Sequence, residues 1–516
     1  MSEKTARVLM VQGTGSSVGK SIVVAGLCRI FHQDGWRVAP FKSQNMALNS
    51  YVTSDGKEMG RAQVVQAQAA GIEPHVDMNP VLLKPEADAK SQVVVMGKPA
   101  MTIRARDYYQ QTPGLLKIAL RSLRRLRRDY EIVIIEGAGS PAEINLRDRE
   151  IVNMRIATEA KSPVLLVGDI DKGGVFASLV GTLALLPPEE KALIKGFIIN
   201  KFRGDLKILE PGLRQLEAIT GVPVLGVIPY FRGLMIPEED SVHSTAGRGQ
   251  SGHSLRIAVI RLPHISNSTD FEALQQEEGV HLYYVESVSQ MGQPHLIIIP
   301  GTKTTVADLK SLQESGLSGA IARRATEGTP VIGICGGFQM LGKLIRDPYH
   351  AESDCGEVEG MGLLDVTTTF SRRKRTFQVA ASVAIGKGLL DSMEGVSLKG
   401  YEIHMGTSRN GNGNVTRPFQ VSRVSEPDGS HPDGAMSENG TVLGTYIHGL
   451  FDDAPFRGAF LSRLRARFGL PQVERTSFLT GEDLYDRLAQ ELRQSLDVDA
   501  IYRIAGCSGS RPLHQP

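Results

Sequence analysis

The sequence is poor in cysteine. It has four, Cys28, Cys335, Cys355 and Cys507, and no two of them form a CxxC pair. Four thiols scattered over 516 residues are not a disulfide framework, and without a CxxC pair a structural zinc site is not expected. Long hydrophobic runs are missing too. None approaches the roughly 18 residues that a membrane span needs, so no membrane partner is expected. The opening MSEKTARVLMVQG has no charged leader followed by an apolar stretch, and a reduced, cytoplasmic compartment is the expectation. A surplus of one charge is also absent. Lys+Arg number 58 and Asp+Glu 56, a net +2, which removes any bulk argument for a nucleic-acid partner. No repeat of fixed period suggests a solenoid.

What is present is an ordinary globular balance, 41% hydrophobic and 22% charged, which excludes wholesale disorder. At roughly 100–200 residues per domain the length suggests two to four domains. Short apolar runs read as buried parallel strands at Val8–Gln12, Arg37–Phe41, Ile132–Glu136, Val164–Gly168, Gly196–Asn200 and Val224–Ile228. Amphipathic helices such as Ser21–Gln33 and Gly114–Arg128 lie between them. The alternation predicts a doubly wound α/β domain over residues 1–237. The polar, Gly-rich stretch 238–254 reads as a linker. A second α/β series follows over 255–455, with strands at Leu255–Leu262, Leu282–Glu286, Leu296–Pro300, Val331–Cys335 and Thr441–Ile447. Residues 456–516 read as a helical extension and tail, with Thr476–Ile504 expected to pack on the second domain and the last residues frayed. The predicted fold class is therefore α/β, two doubly wound parallel-sheet domains.

Residues 13–21 read GTGSSVGKS between a strand and a helix, the context of a phosphate-binding loop. Glycines let backbone N–H groups turn towards phosphates, and the helix N-terminus adds its dipole. Gly13, Thr14, Gly15, Ser16, Ser17, Val18, Gly19, Lys20 and Ser21 are thus the expected ATP-binding residues. Lys20 would reach the β- and γ-phosphates and Ser21 would hold Mg²⁺. Five residues separate Gly13 from Gly19, one more than the strict Walker spacing, and Thr14 stands where the first Walker glycine belongs. The form is similar to the GTxxxxGK[ST] loop of dethiobiotin-synthetase-like ATPases. Metal-binding carboxylates belong at neighbouring strand ends. Glu136 and Asp55 are the candidates, with Asp169 and Asp171 behind them. Asn200 and Lys201 end another strand, where a base can be read.

Residues 329–341 read TPVIGICGGFQML, a strand running into Cys335 and then two glycines and a helix. This is the pattern of a nucleophile elbow. A helix N-terminus lowers a thiol pKa, and the Gly336 N–H can face an oxyanion, with Gly301 as the second donor. A thiol nucleophile needs a base, and His448 at the end of a late strand is the choice. The arginine run over 121–128 and the run Arg372–Arg375 read as solvated faces.

Cys335 in GICGGFQML together with His448 resembles the class I glutamine amidotransferases. The usual acid two residues after the histidine is absent, since Leu450 stands there. That departure resembles the cobyrinic and cobyric branch, which does without that acid, and Glu402 in GYEIHMG is weighed either to orient the histidine or to serve the substrate. A dethiobiotin-synthetase-like ATPase fused to such a domain is similar to two corrin-amidating families, the cobyrinic acid a,c-diamide synthases and the cobyric acid synthases. FKSQNMALNS, EGAGSPAEINLRDREIVNM, GDIDKGGVFAS and INKFRGD resemble the second, over Val8 to about Phe451. The resemblance implies ATP- and glutamine-dependent amidation of four peripheral carboxylates of adenosylcobyrinic acid a,c-diamide, with Mg²⁺. The corrin substrate is a polyanion, so donor side chains should line its cleft. Lys42, Gln44, Asn45, Asn145 and Asp148 are the candidates, with Ser43 and Arg147 beside them. Two other readings stand: the a,c-diamide synthase, and a P-loop ATPase switch carrying a degenerate amidotransferase module.

Overall fold

A computed structural model describes residues 5–86, 90–231, 254–411, 413, 415–424, 426–473, 481–507 and 509. Most of the expected linker, 238–253, and most of the last residues lie outside the described set.

The first domain is built on a six-stranded sheet. Its strands run, from edge to edge, Val224–Pro229, Ile194–Phe202, Val164–Asp169, Arg7–Gly13, Ile132–Glu136 and Val38–Phe41, all parallel. The central ones are buried on both faces, which is why they read as unbroken Val/Ile/Leu runs rather than alternating ones. The predicted helices appear as Lys20–Gln33 and Thr112–Asp129, the latter opened by Pro113 in its first turn. A four-stranded sheet made of Gln44–Met46, Val81–Glu86, Lys90–Val95 and Lys98–Arg104 flanks this core, as does a hairpin of Ser50–Val52 and Glu58–Gly60.

The second domain holds another six-stranded sheet, ordered Val280–Val285, Leu255–Ile260, Leu296–Ile299, Val331–Ile334, Val442–Thr445 and Ala435–Met436. Only the last of these pairs antiparallel. The α/β class therefore holds, with an addition that the sequence pattern did not suggest. A seven-stranded, largely antiparallel sheet stands beside the second core, dominated by Val366–Val383 and Ser397–Asn410. Val379, Ala381 and Val383 are buried at alternate positions, the period of a half-buried strand. The polar run SRRKR in the middle hides that period.

The hairpin of the first domain docks on these two long strands. Thr376 Oγ1 donates to the Gly56 carbonyl at 2.7 Å, and Gln378 Nε2 donates to the Val52 carbonyl at 2.9 Å. Lys374 lies 2.6 Å from Glu58, which is fully buried and also pairs with Lys84 at 2.8 Å. The Arg372–Arg375 run is thus not a solvated face throughout: an apposed buried carboxylate draws Lys374 into the domain contact. Burial works against the Glu58 charge, but Lys374 and Lys84 outweigh it and hold the carboxyl well below its ordinary range.

The C-terminal helices correct another expectation. Ala454–Arg467 packs on the second core through Phe456, Phe460 and Leu464, but Gly481–Ser495 and Val498–Ile504 return to the first domain. Leu488 and Leu492 lie on Lys20–Gln33, where Gly26 lets the two helices close: a Cβ there would sit 2.2 Å from Leu492 Cδ1. Arg29 pairs with Glu482 and Asp486, each at 2.6 Å, and Phe31 packs edge-on against Tyr502. The apolar stripe Tyr485, Leu488, Ala489 and Leu492 matches the uncovered back of the phosphate-loop helix.

Candidate active sites

The phosphate loop leaves the central strand of the first sheet. The Thr14 N–H still donates to the Val167 carbonyl at 2.9 Å, so the ladder runs one residue past Gly13 and the open loop is Gly15–Gly19. Ser16 and Ser17 are exposed at its tip. Gly19 has φ 96°, and a Cβ there would lie 2.0 Å from Asn200 Nδ2, so only glycine fits. Asn200 Nδ2 donates to the Val18 carbonyl at 2.8 Å. Lys201 Nζ donates to the Ser17 carbonyl and lies 3.0 Å from Asp169. These two residues, expected at the base, have their side chains on the backbone of the loop. Lys20 is buried, with Nζ donating to the carbonyls of Gly15 at 2.8 Å and Gly139 at 3.1 Å.

Glu136 ends the adjacent strand and is buried beneath this loop. Its Oε1 accepts from Ser21 Oγ at 2.8 Å and from Lys42 Nζ at 3.0 Å, and its Oε2 from Gln66 and Gln63. Burial disfavours the carboxylate, but Lys42 and the hydrogen bonds from Gln66 and Ser21 keep its pKa below the ordinary value. Gln66 Oε1 is itself buried without a hydrogen-bond partner. Hard oxygen donors grouped beside a phosphate loop suit Mg²⁺, which keeps waters and phosphate oxygens as its other ligands and needs one or two protein oxygens. Ser21 and Glu136 have that chemistry. Among the described residues no group of three or more His, Cys, Asp or Glu side chains gathers as a self-contained metal site.

Several expected residues lie elsewhere. Asp55 sits in the hairpin turn at the domain contact, bonded by Thr53 and paired with Lys57 at 2.6 Å. It shares no hydrogen-bond or ion-pair partner with Ser21 or Glu136, so the structure does not bring these expected metal residues together. Lys42 does not line an open substrate cleft: a buried carboxylate demands a counter-charge, and Lys42 supplies it to Glu136. Gln44 accepts from the Tyr108 hydroxyl. Asn45 donates to Gln63 at 2.9 Å, in a layer behind Glu136. Asn145 and Asp148 are exposed on the turn that follows the Glu136 strand, beside the Arg147–Glu190 pair.

In the second domain Val331–Ile334 ends at Cys335, and the helix Gly336–Leu341 opens at once. Cys335 has φ 52° and ψ −107°, a region that non-glycine residues rarely occupy, which is the strained turn of a nucleophile elbow. Gly337 permits it, since a Cβ there would lie 2.0 Å from the Ile299 carbonyl oxygen. Gly301 lies close to both Cys335 and His448: a Cβ on it would be 3.0 Å from His448 Cε1 and 3.7 Å from Cys335 Cβ. His448 is buried and stacks on Tyr401, with ring centres 5.2 Å apart. Its Nδ1 lies 2.7 Å from Asp270 Oδ2, while Asp270 Oδ1 accepts the Gly449 N–H at 2.9 Å. Nε2 is buried without a hydrogen-bond partner. Burial pushes the imidazole pKa down, but the Asp270 carboxylate and the nearby Cys335 sulfur outweigh it and lift the pKa to about 10.

Asp270 is the acid that sequence reasoning missed. Glu402, weighed for that place, faces His431 at 3.4 Å and Arg423 at 3.8 Å. The available signal was the polar run SNSTD after the strand Leu255–Ile260, since sites in parallel sheets gather at carboxyl ends of strands. Tertiary contact brings it to a histidine 178 residues away.

A phosphate loop with a buried acid and a Cys–His–Asp constellation, each at the carboxyl edge of its own sheet, define a glutamine amidotransferase joined to a nucleotide-binding domain. Residues 9–242 match the family model described as the CobQ/CobB/MinD/ParA nucleotide binding domain, and 256–456 match the CobB/CobQ-like glutamine amidotransferase domain. A cobyric acid synthase from Dehalococcoides mccartyi is 53% identical over 500 residues, covering 97% of this chain and 99% of that one. Another, from Pelotomaculum thermopropionicum, is 52% identical over 521 residues and covers 98% of each chain. A third, from Yersinia enterocolitica, is 52% identical over 503 residues, with 96% and 97% covered. The chain belongs to the cobyric acid synthase family, amidotransferases of cobalamin biosynthesis. Among the described residues no helix is long and apolar enough to cross a membrane.

Proposed function

We propose that the chain converts four peripheral carboxylates of adenosylcobyrinic acid a,c-diamide to amides, using one ATP and one glutamine at each, to give adenosylcobyric acid. The observation that carries this reading is the pairing in one chain of the Lys20–Ser21–Glu136 site with the Cys335–His448–Asp270 site. An intact triad argues against a degenerate module on an ATPase switch.

A carboxylate is a poor acyl donor, because its charge repels nucleophiles and oxide is a bad leaving group. Phosphorylation by ATP removes both obstacles. Lys20 places positive charge where the γ-phosphoryl group transfers, and the Gly15–Gly19 amides receive the other phosphate oxygens. Ser21 and Glu136 would hold Mg²⁺, which when bound neutralises charge on the β- and γ-phosphates. Water must stay out, since an acyl phosphate hydrolyses.

In the second domain the Cys335 thiolate attacks the glutamine amide carbon, and the oxyanion faces the N–H groups of Gly336 and Gly301. His448 Nε2 protonates the leaving ammonia and then takes a proton from the water that releases glutamate. Asp270 holds the ring through Nδ1 and stabilises the imidazolium. Ammonia reaches the acyl phosphate unprotonated if it crosses where the domains meet. Mass spectrometry of the corrin incubated with protein, glutamine and Mg·ATP tests the reading. Stepwise appearance of four amides, dependent on both co-substrates, is the expected result. Glutamine hydrolysis without any change in the corrin would move the search to another carboxylate.

A further inference from the structure

One short segment joins the two sites. FKSQNMALNS leaves the strand Val38–Phe41 at Lys42, which sits 3.0 Å from Glu136 under the phosphate loop. Its other end meets the second domain. Asn49 and Ser50 lie against the loop that carries Asp270. Asn49 Oδ1 accepts the Ser268 N–H at 2.9 Å and the Ser268 hydroxyl at 3.3 Å. In return, Asn267 Oδ1 accepts the Ser50 N–H at 2.9 Å. Each asparagine thus receives a backbone N–H of the opposite domain, and all four residues are buried.

Asn267 is left-handed at φ 55°, a conformation asparagine tolerates better than most residues. A backbone N–H can only donate, so Ser50 decides which end of the Asn267 amide faces it. The Nδ2 end is thereby turned to His448, 3.4 Å from Nδ1. Asp270 follows within the same turn, and its N–H donates to the Asn267 carbonyl at 3.0 Å. From inside its own domain the loop is held at Ser266, whose N–H donates to the Gly301 carbonyl at 2.9 Å. The acid that orients the histidine therefore sits on a turn clamped partly from the other domain.

We propose that Asn49 and Ser50 are positioning residues of the glutaminase: by clamping Asn267 and Ser268 they set where Asp270 holds His448, so hydrolysis runs at full rate only with this segment docked. The inference rests on the reading of Cys335, His448 and Asp270 as the glutamine-hydrolysing site. Neither positioning residue touches reacting atoms. Because the segment starts on Glu136, occupancy of the phosphate loop and the geometry of the histidine act on opposite ends of one piece of chain.

The test uses the full chain and two assays, glutamate release and amidation of the corrin with free ammonia. Asn49→Ala is expected to lower kcat for glutamine hydrolysis about tenfold, with KM for glutamine and the ammonia-dependent rate changed less than about twofold. Asn49→Asp keeps an acceptor for the Ser268 N–H and is expected to recover most of the lost kcat. An unchanged kcat in Asn49→Ala, while Cys335→Ala is inactive with glutamine, would overturn the proposal and leave the glutaminase reading standing. An equal loss of ammonia-dependent activity, or no recovery in Asn49→Asp, would also overturn it, since both mark damage to the fold. Absence of glutamate release from the unaltered chain would remove the reading of the thiol site itself, and the proposal with it.

Discussion

The phosphate site and the thiol site both stand at the carboxyl ends of parallel strands, yet they are held differently. The first carries its phosphate loop, Gly13–Ser21, on one continuous stretch of chain, and the charges buried beneath that loop are balanced within the same domain, Glu136 against Lys42 with Ser21 and two glutamines around it. The second is drawn from three separate segments. Its ion pair His448–Asp270 is set among Tyr401, Ile403 and the glycine turns, and part of its support comes from the neighbouring domain. A site that rests on contiguous backbone carries its own geometry. A site that rests on tertiary contact inherits the geometry of whatever it touches.

Removing one reactive group from each site separates them most sharply. Cys335→Ala is expected to abolish glutamine-dependent amidation, by about 10³-fold or more, and to spare amidation with free ammonia. Lys20→Ala should remove both. If Cys335→Ala also fails with ammonia, the two sites are not divided as described. Next in size is Asp270→Asn, expected to lower glutamine hydrolysis by about 10² to 10⁴-fold, as loss of the acid does in related triads. The Asp270 carboxylate helps to lift His448 to about 10, so its removal lowers that pKa. The imidazolium is then lost at lower pH, and the alkaline limb of kcat/KM against pH should move down. Glu402→Gln should do neither; an equal effect there would restore it as the orienting acid.

The domain contact gives an intermediate effect. Glu58→Gln leaves Lys84 and Lys374 buried beside a neutral amide, which should cost about 3–5 kcal/mol in urea unfolding. The sign with pH follows from the depressed carboxyl. The stabilisation is fully present above the ordinary carboxylate pKa and is lost as pH falls through the folded value, so the gap between wild type and variant should narrow in acid. A constant gap would mean that packing rather than charge sets the contact. The smallest effect belongs to Asp55→Ala. Its pair with Lys57 is partly exposed, and the change should cost about 0–1 kcal/mol and leave ATP use intact, whereas Glu136→Gln should impair it.

How legible each part was follows the same division. The central strands could be read because burial on both faces writes itself as unbroken apolar runs. The phosphate loop could be read because its geometry is local, and Cys335 because the elbow needs glycine immediately after it. Asp270 could not, since nothing in SNSTD by itself says that a histidine from a late strand will arrive there. Lys374 was hidden in a basic run, where sequence alone does not separate the one lysine facing Glu58 from its solvated neighbours. FKSQNMALNS was legible as a distinctive phrase but not as a bridge, because its two ends find partners in different domains. The C-terminal helices were recognisable as helices, but their docking place depended on a matching surface more than 450 residues earlier, as the Arg29–Asp486 contact shows.

That return of the chain changes what kind of object the glutaminase is. Topologically it is not an appendage behind a finished nucleotide-binding domain but an insert within one, since the last helices close the domain that the first residues begin. During synthesis the wall behind the phosphate loop stays open until Leu488, Leu492 and Ile501 have left the ribosome, by which time the whole ammonia-producing half has already been made. The order of the gene thus places the ammonia source ahead of the completed ATP-consuming machine. A chain cut after residue 237 would be an uncovered fragment rather than a smaller enzyme.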